Sequence, residues 1–315
     1  MKELLFAPME GITLFRYRMI HHRMFPGAAE YYTPFIAPDS KGSFRPKYLR
    51  ELTSDCNSLR VIPQLLVNNA EAFCATAEKL RELGFGEVNL NIGCPSGTVF
   101  SKHKGAGMLT DLASLDAVLD GIYSHAEQKG YRVSIKTRMG VHSTEEFPAI
   151  LECYRKYPIS KLIVHARCRD DFYRGEADLS GLASSIGECL FPVVYNGNIA
   201  APEDLEKVSL AAPQIESVMI GRAAVSNPAL FRWFKTGEQL RLEELKAFHD
   251  ELVETWMEDG LCPAFTVERA KTLWTYMQEL FPEAKREVKA VLKARNMPDY
   301  RIAAETLFRS GGFRA

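Results

Sequence analysis

One short segment concentrates the residues that could do chemistry. Residues 91–107 read NIGCPSGTVFSKHKGAG, which places Cys94 in a tight turn ahead of a loop rich in glycine and basic residues. A thiol in such a turn could be a buried structural cysteine, a metal ligand, a nucleophile or a proton donor. The chain has seven scattered cysteines without a C-x-x-C pair, which argues against a disulfide framework and a structural zinc site. We expect no metal.

Short apolar segments must form the framework that positions this turn. They lie at 4–7, 29–32, 60–65, 87–91, 132–137, 161–165, 192–196 and 217–220, and helix-length stretches such as 70–84 and 114–130 separate most of them. Segments that are apolar throughout are typical of parallel strands covered on both faces. Eight such β/α units predict an α/β fold, the (β/α)8 TIM barrel. A doubly wound sheet is the alternative, but no G-x-G-x-x-G follows the first strand.

The pattern changes to helices alone after about residue 238. This change predicts a barrel over residues 1–237 and a small all-helical domain over residues 238–315. From Ala284 to Ala315 there are eight basic and three acidic residues, although the whole chain has a net charge of −1. Such a tail indicates either a solvated basic helix or a surface that binds nucleic acid.

Composition limits where the protein acts. Hydrophobic residues make up 46% of the chain and charged residues 25%, and no apolar stretch is long enough to cross a membrane. The apolar run near the N-terminus is too short for a signal peptide, because Glu10 follows too soon. We therefore expect a cytoplasmic protein with no membrane partner, and a monomer.

Polar or turn-forming residues follow nearly every predicted strand. In a barrel, the carboxyl ends of the strands and the loops after them form one active-site face. Taken singly, Lys136 could serve a salt bridge and His165 could be a core histidine. The residues at the strand ends are Pro8, Met9, Thr33, Gln64, Asn91, Lys136, His165, Asn196, Gly197, Asn198, Gly221 and Arg222. Together they indicate one shared site.

The types of these residues favour a phosphorylated redox cofactor. Gly197 and Gly221 follow the seventh and eighth strands, where barrels commonly bind phosphate through backbone N–H groups, and Arg222 adds a fork suited to a phosphate monoester. Three residues deeper in the site could meet the edge of a planar heterocycle, namely Gln64, Lys136 and His165. A lysine there would favour an anionic reduced state of the ring. These features predict FMN over another phosphorylated ligand.

In order and spacing, motifs along the whole chain resemble those of the tRNA-dihydrouridine synthase family. The matching segments are APMEGITLFRYR (7–18), PQL (63–65), NLNIGCPSGTVFSKHKGAGM (89–108), KTRMG (136–140), HARCR (165–169), NGNI (196–199) and GR (221–222). The C-terminal helices resemble the RNA-binding appendage of that family. Two positions depart from its pattern: Asn89 stands where an aspartate is common, and Ala166 replaces the glycine of the usual HGR.

The resemblance implies a flavin-dependent oxidoreductase acting on a CH–CH bond, with tRNA as its substrate. It reduces the C5–C6 bond of a D-loop uridine with FMN, and NADPH or NADH is the electron donor. Cys94 is then the catalytic acid, and Tyr173 resembles the branch that modifies a uridine early in the D-loop. The residues implied to hold FMN are Ala7, Pro8, Met9, Gln64, Lys136, His165, Asn196, Gly197, Asn198, Gly221 and Arg222.

The expected reaction selects one of the four roles for the cysteine. Reducing uridine requires a hydride on C6 and a proton on C5, and a thiol of ordinary pKa near ~8.5 is protonated at neutral pH yet can donate. Asn91 could hydrogen-bond the pyrimidine edge once the uridine has left its stack, and the loop 102–107 could close as a lid. The residues expected to contact RNA phosphates, with the basic tail, are Arg16, Arg138 and Arg167.

Three other functions fit parts of the sequence. A flavin barrel that oxidises or reduces a free pyrimidine would use the same thiol, but it would not need a basic helical tail. A Schiff-base aldolase would use Lys136 and no flavin. An RNA-binding protein with a vestigial barrel would retain tRNA without catalysis.

Overall fold

The computed structural model describes residues 2–52, 59–187 and 189–315, so Cys56 lies outside the described residues. Within them, parallel strand segments form a single sheet: β1 (Glu3–Phe6), β2 (Glu30–Tyr32), β3 (Val61–Ile62), β4 (Gln64–Leu65), β5 (Glu87–Ile92), β6 (Arg132–Gly140), β7 (Leu162–Cys168), β8 (Val193–Asn196) and β9 (Ser217–Ile220). Their order is β3-β2-β1-β9-β8-β7-β6-β5-β4. The predicted (β/α)8 barrel is confirmed.

The third predicted strand is divided in two by Pro63. Proline has no N–H to donate, so β3 pairs with β2 and β4 pairs with β5 on either side of it. The Pro63 carbonyl still accepts the Asn89 N–H at 2.8 Å. The two ends of the sheet order are therefore neighbours in the chain, and the sheet closes on itself at this point.

Helices cover the outside of the barrel. They are α1 (Phe15–Met24), α2 (Lys47–Leu52), α3 (Ala70–Glu82), α4 (Gly97–Phe100), α5 (Leu112–Lys129), α6 (Phe147–Tyr154), α7 (Leu179–Ser185), α8 (Pro202–Ala211), α9 (Arg222–Ser226) and α10 (Leu230–Thr236). The two helices predicted from 70–84 and 114–130 correspond to α3 and α5. Asn69 and Asp111 cap their first turns, and Gly130 ends α5 in the left-handed conformation.

The C-terminal region is helical, as predicted, and packs against the barrel. It contains α11 (Leu242–Glu258), α12 (Pro263–Met277), α13 (Lys285–Lys293) and α14 (Met297–Phe308). Trp274 and Tyr300 are fully buried between these helices, and the Phe248 ring of α11 contacts Tyr17 and Phe25 of the barrel. The division of the chain into a barrel domain (1–237) and a separate helical domain (238–315) stays a prediction. In the described part of the chain, no helix has the length and apolar character needed to cross a membrane.

The amino-terminal end of the barrel holds a buried ionic cluster. Glu30 accepts hydrogen bonds from Lys161 at 2.5 Å and Tyr32 at 3.0 Å and pairs with Arg60 at 3.0 Å. Glu87 lies within 3.7 Å of the same arginine. Polar groups at this end of a barrel support stability. The chemistry is expected at the other end.

Candidate active site

A pocket opens at the carboxyl ends of the strands, where the sequence predicted a site. In the described part of the chain it brings together fourteen of the seventeen residues predicted for the site: Ala7, Pro8, Met9, Gln64, Asn91, Cys94, Lys136, Arg138, His165, Tyr173, Asn196, Gly197, Gly221 and Arg222. The barrel gathers them because each lies in the carboxyl-terminal part of a strand or in the segment that follows one at this face. The sequence reasoning missed five further lining residues, which are Glu10, Pro34, Phe35, Gly93 and Pro95.

Arg167 and Asn198 lie behind the pocket lining. The buried Arg167 guanidinium donates to the carbonyls of Arg174 and Gly175, to His165 Nε2 at 2.9 Å and to Asn198 Oδ1 at 2.9 Å. Its hydrogen bonds are directed at protein atoms, so the structure places Arg167 as a support for His165. A phosphate contact for it stays a prediction, and so does an FMN contact for Asn198.

Arg16 lies away from the pocket, against the C-terminal helical region. Its guanidinium makes a two-bond ion pair with Asp259, at 2.8 Å and 2.6 Å. This pair joins the segment after β1 to the end of α11. A contact between Arg16 and RNA stays a prediction that requires this ion pair to rearrange.

The turn that carries Cys94 is held from both sides. The Asn91 side-chain Oδ1 accepts the N–H groups of Gly93 at 3.0 Å and Cys94 at 2.9 Å. On the other side, the Ala106 N–H donates to the Cys94 carbonyl at 3.1 Å. Gly105 has φ +56°, and a Cβ on it would lie only 2.9 Å from the Cys94 Cβ. The thiol position therefore depends on glycine at residue 105.

This packing corrects the predicted lid. Residues Gly105–Leu109 begin a buried 3-10 helix beneath the Cys94 turn, so the lid prediction is wrong for this part of the loop. Gly105 packs against Cys94 and Gly107 packs against Phe100, so this part of the loop is held in place beside the turn. Lys102, His103 and Lys104 remain at the surface or partly exposed, and a contact between them and RNA stays a prediction.

Gly105→Ala tests the support of the thiol. An L-residue in the left-handed region costs roughly 1–2 kcal/mol, and the new Cβ would also press on Cys94. Gly130→Ala is the matched control, since Gly130 has φ +69° and no atom within 4 Å of such a Cβ. We expect both variants to lose stability in urea unfolding, while only Gly105→Ala changes the alkylation rate of Cys94, followed by peptide mass spectrometry. Equal alkylation rates in both variants would contradict the contact.

The surroundings of the thiol keep it protonated. Burial raises the pKa of Cys94 above its ordinary value, and the Ser96 backbone N–H and the Arg138 charge only partly offset this rise. A neutral thiol can donate a proton, whereas a metal ligand would have to be deprotonated. Among residues 2–52, 59–187 and 189–315, no group of three or more histidine, cysteine or acidic side chains could hold a metal ion.

Lys136 is half-buried, and its amine contacts a neutral side chain. Its Nζ donates to Asn196 Oδ1 at 2.9 Å, and Asn196 is held in this orientation because its Nδ2 donates to the Met219 carbonyl at 2.7 Å. Within the described residues Lys136 has no carboxylate in ion-pair range. Burial, assisted by the Arg138 charge, lowers the pKa of Lys136 to about 7. A bound anion would stabilise the charged amine.

His165 and Tyr173 complete one wall of the pocket. Burial, followed by the charges of Lys136 and Arg138, holds the pKa of His165 well below its ordinary value, so the imidazole is neutral. Its Nε2 accepts from Arg167, which leaves the hydrogen on Nδ1. The half-exposed Tyr173 ring lies between the guanidinium groups of Arg138 and Arg222, at 5.4 Å and 5.2 Å.

The guanidinium group of Arg169 joins two loops near the pocket. Arg169 lies 4.3 Å from the Phe100 ring centroid and 5.3 Å from that of Phe172. Phe172 has a φ of +53°, which is rare for an aromatic residue, and its ring is 40% exposed. We call this set Phe100, Arg169 and Phe172 the aromatic clamp. It connects α4, next to the thiol, to the loop that carries Tyr173.

The residues present fit FMN. A Cβ on Gly221 would lie 3.3 Å from the Ala7 Cβ and 3.2 Å from Met9 Sδ, so glycine leaves a passage in the pocket wall that a side chain would narrow. The charged residues that line the pocket in the described part of the chain are three cations and one carboxylate: Lys136, Arg138, Arg222 and Glu10. An excess of cationic donors suits a phosphate and an electron-rich ring.

Fold and site together define a (β/α)8 barrel with a cationic pocket at the carboxyl ends of its strands. A solved 2-naphthoyl-CoA reductase has this fold with a TM-score of 0.56 and 12% identity, over 75% of this chain and 50% of that one. Morphinone reductase aligns with a TM-score of 0.52 and 13% identity, over 76% of this chain and 87% of that one.

The family model described as "Dihydrouridine synthase (Dus)" matches residues 5–300. The chain belongs to the dihydrouridine synthase family, which confirms the resemblance found in the sequence. It is 28% identical over 257 residues to tRNA-dihydrouridine synthase B of Pseudomonas putida, covering 80% of this chain and 74% of that protein. It is 29% identical over 252 residues to tRNA-dihydrouridine(16) synthase of Shigella flexneri, covering 78% of this chain and 77% of that protein.

Proposed function

We propose that this protein is a tRNA-dihydrouridine synthase that reduces the C5–C6 bond of a D-loop uridine, with FMN as cofactor and NADPH or NADH as electron donor. The observation that carries the proposal is the half-buried thiol of Cys94, whose pKa is raised, in the same pocket as the half-buried amine of Lys136, whose pKa is lowered. Membership of the family and the names of the relatives support the choice of tRNA as substrate.

Each side chain has a part in this reaction. FMN, when bound, supplies the hydride to C6 of the uracil ring and is reduced again by the nicotinamide. Cys94 gives its S–H proton to C5 and is reprotonated from solvent, so the uridine gains two hydrogens. Lys136 and the His165 Nδ1–H offer donors to the edge of the cofactor ring. The exposed Tyr173 ring offers a surface on which a base turned out of its stack can rest.

The basic tail divides into unpaired and paired cations. The arginines on and after α14 form ion pairs: Arg301 with Glu254, Arg309 with Glu305 and Arg314 with Glu283. In the part of the chain that the structure describes, the cations of the segment 285–295 are exposed and none of them has a carboxylate in ion-pair range: Lys285, Arg286, Lys289, Lys293 and Arg295. This set, the α13 stripe, is available to the phosphates of tRNA.

The salt dependence of tRNA binding tests the α13 stripe. Each phosphate contact contributes roughly 0.7–0.9 to the slope of log affinity against log salt. We expect the double variant Lys289→Ala, Lys293→Ala to lower this slope by about 1–2. The matched control is Arg301→Ala, Arg309→Ala, which removes two cations that are already neutralised by glutamates. Filter binding from 50 to 300 mM salt measures both, and equal slopes for the two double variants would contradict the role of the stripe.

The reaction itself is tested on unmodified tRNA. The purified protein, supplied with FMN and NADPH, is expected to add two hydrogens to one D-loop uridine. Nucleoside mass spectrometry detects the product, and reverse transcription locates it. Turnover of free uracil or dihydroorotate, with no dihydrouridine in tRNA, would replace the proposal with a free-pyrimidine oxidoreductase.

A further inference from the structure

Four polar side chains form a continuous line beneath the pocket. Asn91 Nδ2 donates to Gln64 Oε1 at 2.7 Å, Gln64 Nε2 donates to Asn89 Oδ1 at 2.7 Å, and Asn89 Nδ2 donates to Ser134 Oγ at 3.0 Å. All four are buried, Asn89 and Ser134 completely. We call this line the amide relay. It begins at the turn that carries Cys94.

The direction of every bond in the amide relay is fixed by its first member. The backbone N–H groups of Gly93 and Cys94 can only donate, so Asn91 must present its oxygen to them and its nitrogen to Gln64. The Gln64 oxygen is thereby turned to Asn91, and its nitrogen to Asn89. The Gln64 amide nitrogen is thus directed at residue 89, which must offer an acceptor to keep this buried N–H hydrogen-bonded in its place.

Asn89 lies one layer beneath the site. In the register of β5 and β6, Asn89 is opposite Ser134 and Asn91 is opposite Lys136. Side chains two residues apart on a strand point to the same face, so Asn89 and Ser134 form the layer below Asn91 and Lys136. A charge at residue 89 would lie in a fully buried environment one layer beneath Lys136, where water screens it little.

We propose that Asn89 is a positioning residue for the reductase: its amide oxygen holds Gln64 in place, and its neutrality leaves Lys136 without a buried counter-charge in the layer beneath it. The inference rests on the proposed function, because it concerns how the pocket treats a bound flavin. An aspartate at this position could accept from both Gln64 and Ser134, so it would keep the relay and alter only the charge. A leucine would keep the approximate volume and remove the relay.

The variants Asn89→Asp and Asn89→Leu test two roles of residue 89 separately. The first variant tests its neutrality, and the second tests its hydrogen bonds in the amide relay. For Asn89→Asp, reconstituted with FMN, we expect a more negative flavin midpoint potential at pH 8.5. A negative charge near the flavin opposes electron gain, which makes the potential more negative. The difference in midpoint potential from the wild type should shrink toward pH 6, because the buried carboxyl then takes up a proton and loses its charge. We expect reduction by NADPH to slow by about tenfold at pH 8.5, the size of an ordinary electrostatic effect on a barrier. For Asn89→Leu we expect a lower kcat with unchanged KM for tRNA.

Controls keep the outcomes distinct. Ser134→Ala shortens the relay at its far end without adding charge, and its midpoint potential should equal that of the wild type. If Asn89→Asp does not fold, Ser134→Asp places a carboxylate in the same layer. A wild-type potential for the aspartate variant across the pH range would overturn the charge role, and wild-type kcat for Asn89→Leu would overturn the positioning role. A wild-type protein that binds no FMN would instead contradict the proposed function.

Discussion

The Cys94→Ala variant is expected to bind FMN and to accept electrons from NADPH, yet to form dihydrouridine about 10²–10⁴-fold more slowly than the wild type. The methyl group has no proton to give to C5, whereas the donors that face the cofactor are untouched. Single-turnover assays with the prereduced protein and unmodified tRNA measure this step apart from reduction by NADPH.

Two comparisons define the result for Cys94. Cys74→Ala is the matched control, because Cys74 is a half-buried thiol of raised pKa that lies on α3, outside the pocket. If Cys94 is the proton donor, its acid form is the active one, and burial raises the pKa of this thiol. The rate should therefore hold across neutral pH and fall only in the alkaline range, as the thiol ionises. Retention of most activity by Cys94→Ala would refute the proton-donor role.

The second large effect concerns Lys136 and pH. Its pKa is lowered to about 7 by burial without a carboxylate partner in the described residues. A ligand that accepts a hydrogen bond from the charged amine stabilises its protonated form, so binding is accompanied by uptake of a proton above this pH. The affinity of the apoprotein for flavin should therefore weaken as pH rises through about 7, by up to about tenfold per pH unit. Flavin fluorescence quenching from pH 6 to 8.5 measures the affinity.

Variants and ligands isolate the lysine in this experiment. Lys136→Met should bind flavin weakly and lose the pH dependence, while Lys207→Met, an exposed lysine on α8, should behave as the wild type. The FMN phosphate has a second pKa near ~6 and would favour binding at higher pH, the opposite sign. Riboflavin lacks that phosphate and should show the lysine effect alone. An affinity for riboflavin that does not change with pH would contradict the role of Lys136.

The barrel fold and the face that carries the site could be predicted from the sequence, because both depend on the periodicity of apolar residues and on the order of the strands. Buried parallel strands are continuous apolar runs, so the barrel followed from their number, and Lys136 and His165 could be placed at one face because both end a strand. Pro34 and Phe35 were missed because they lie in a loop after β2 without a distinctive pattern. Arg167 carries the same strand-end signal as Arg222, and only the fold shows that its donors point at protein atoms.

Contacts between distant residues explain the other differences. The charge count of the tail treats Lys289 and Arg301 alike, but Arg301 has a glutamate on α11 as its partner, 47 residues earlier in the chain. The importance of Asn89 depends on Gln64 and Ser134, which lie on the strands at either side of it. Pairings of this kind become visible only when the strands are placed in register.

The aromatic clamp connects two loops near the pocket that are far apart in the chain. Arg169 fastens the segment after β5 to the loop after β7, and the two attachment points span β6. Arg169 thus links these two loops, and with them Tyr173 and the segment that follows the Cys94 turn. In the strand order, β2 lies across the barrel from β7, and its following loop carries Pro34 and Phe35. A shift of the Tyr173 loop relative to Pro34 and Phe35 would therefore change the width of the pocket and, through Arg169, the surroundings of α4 at the same time.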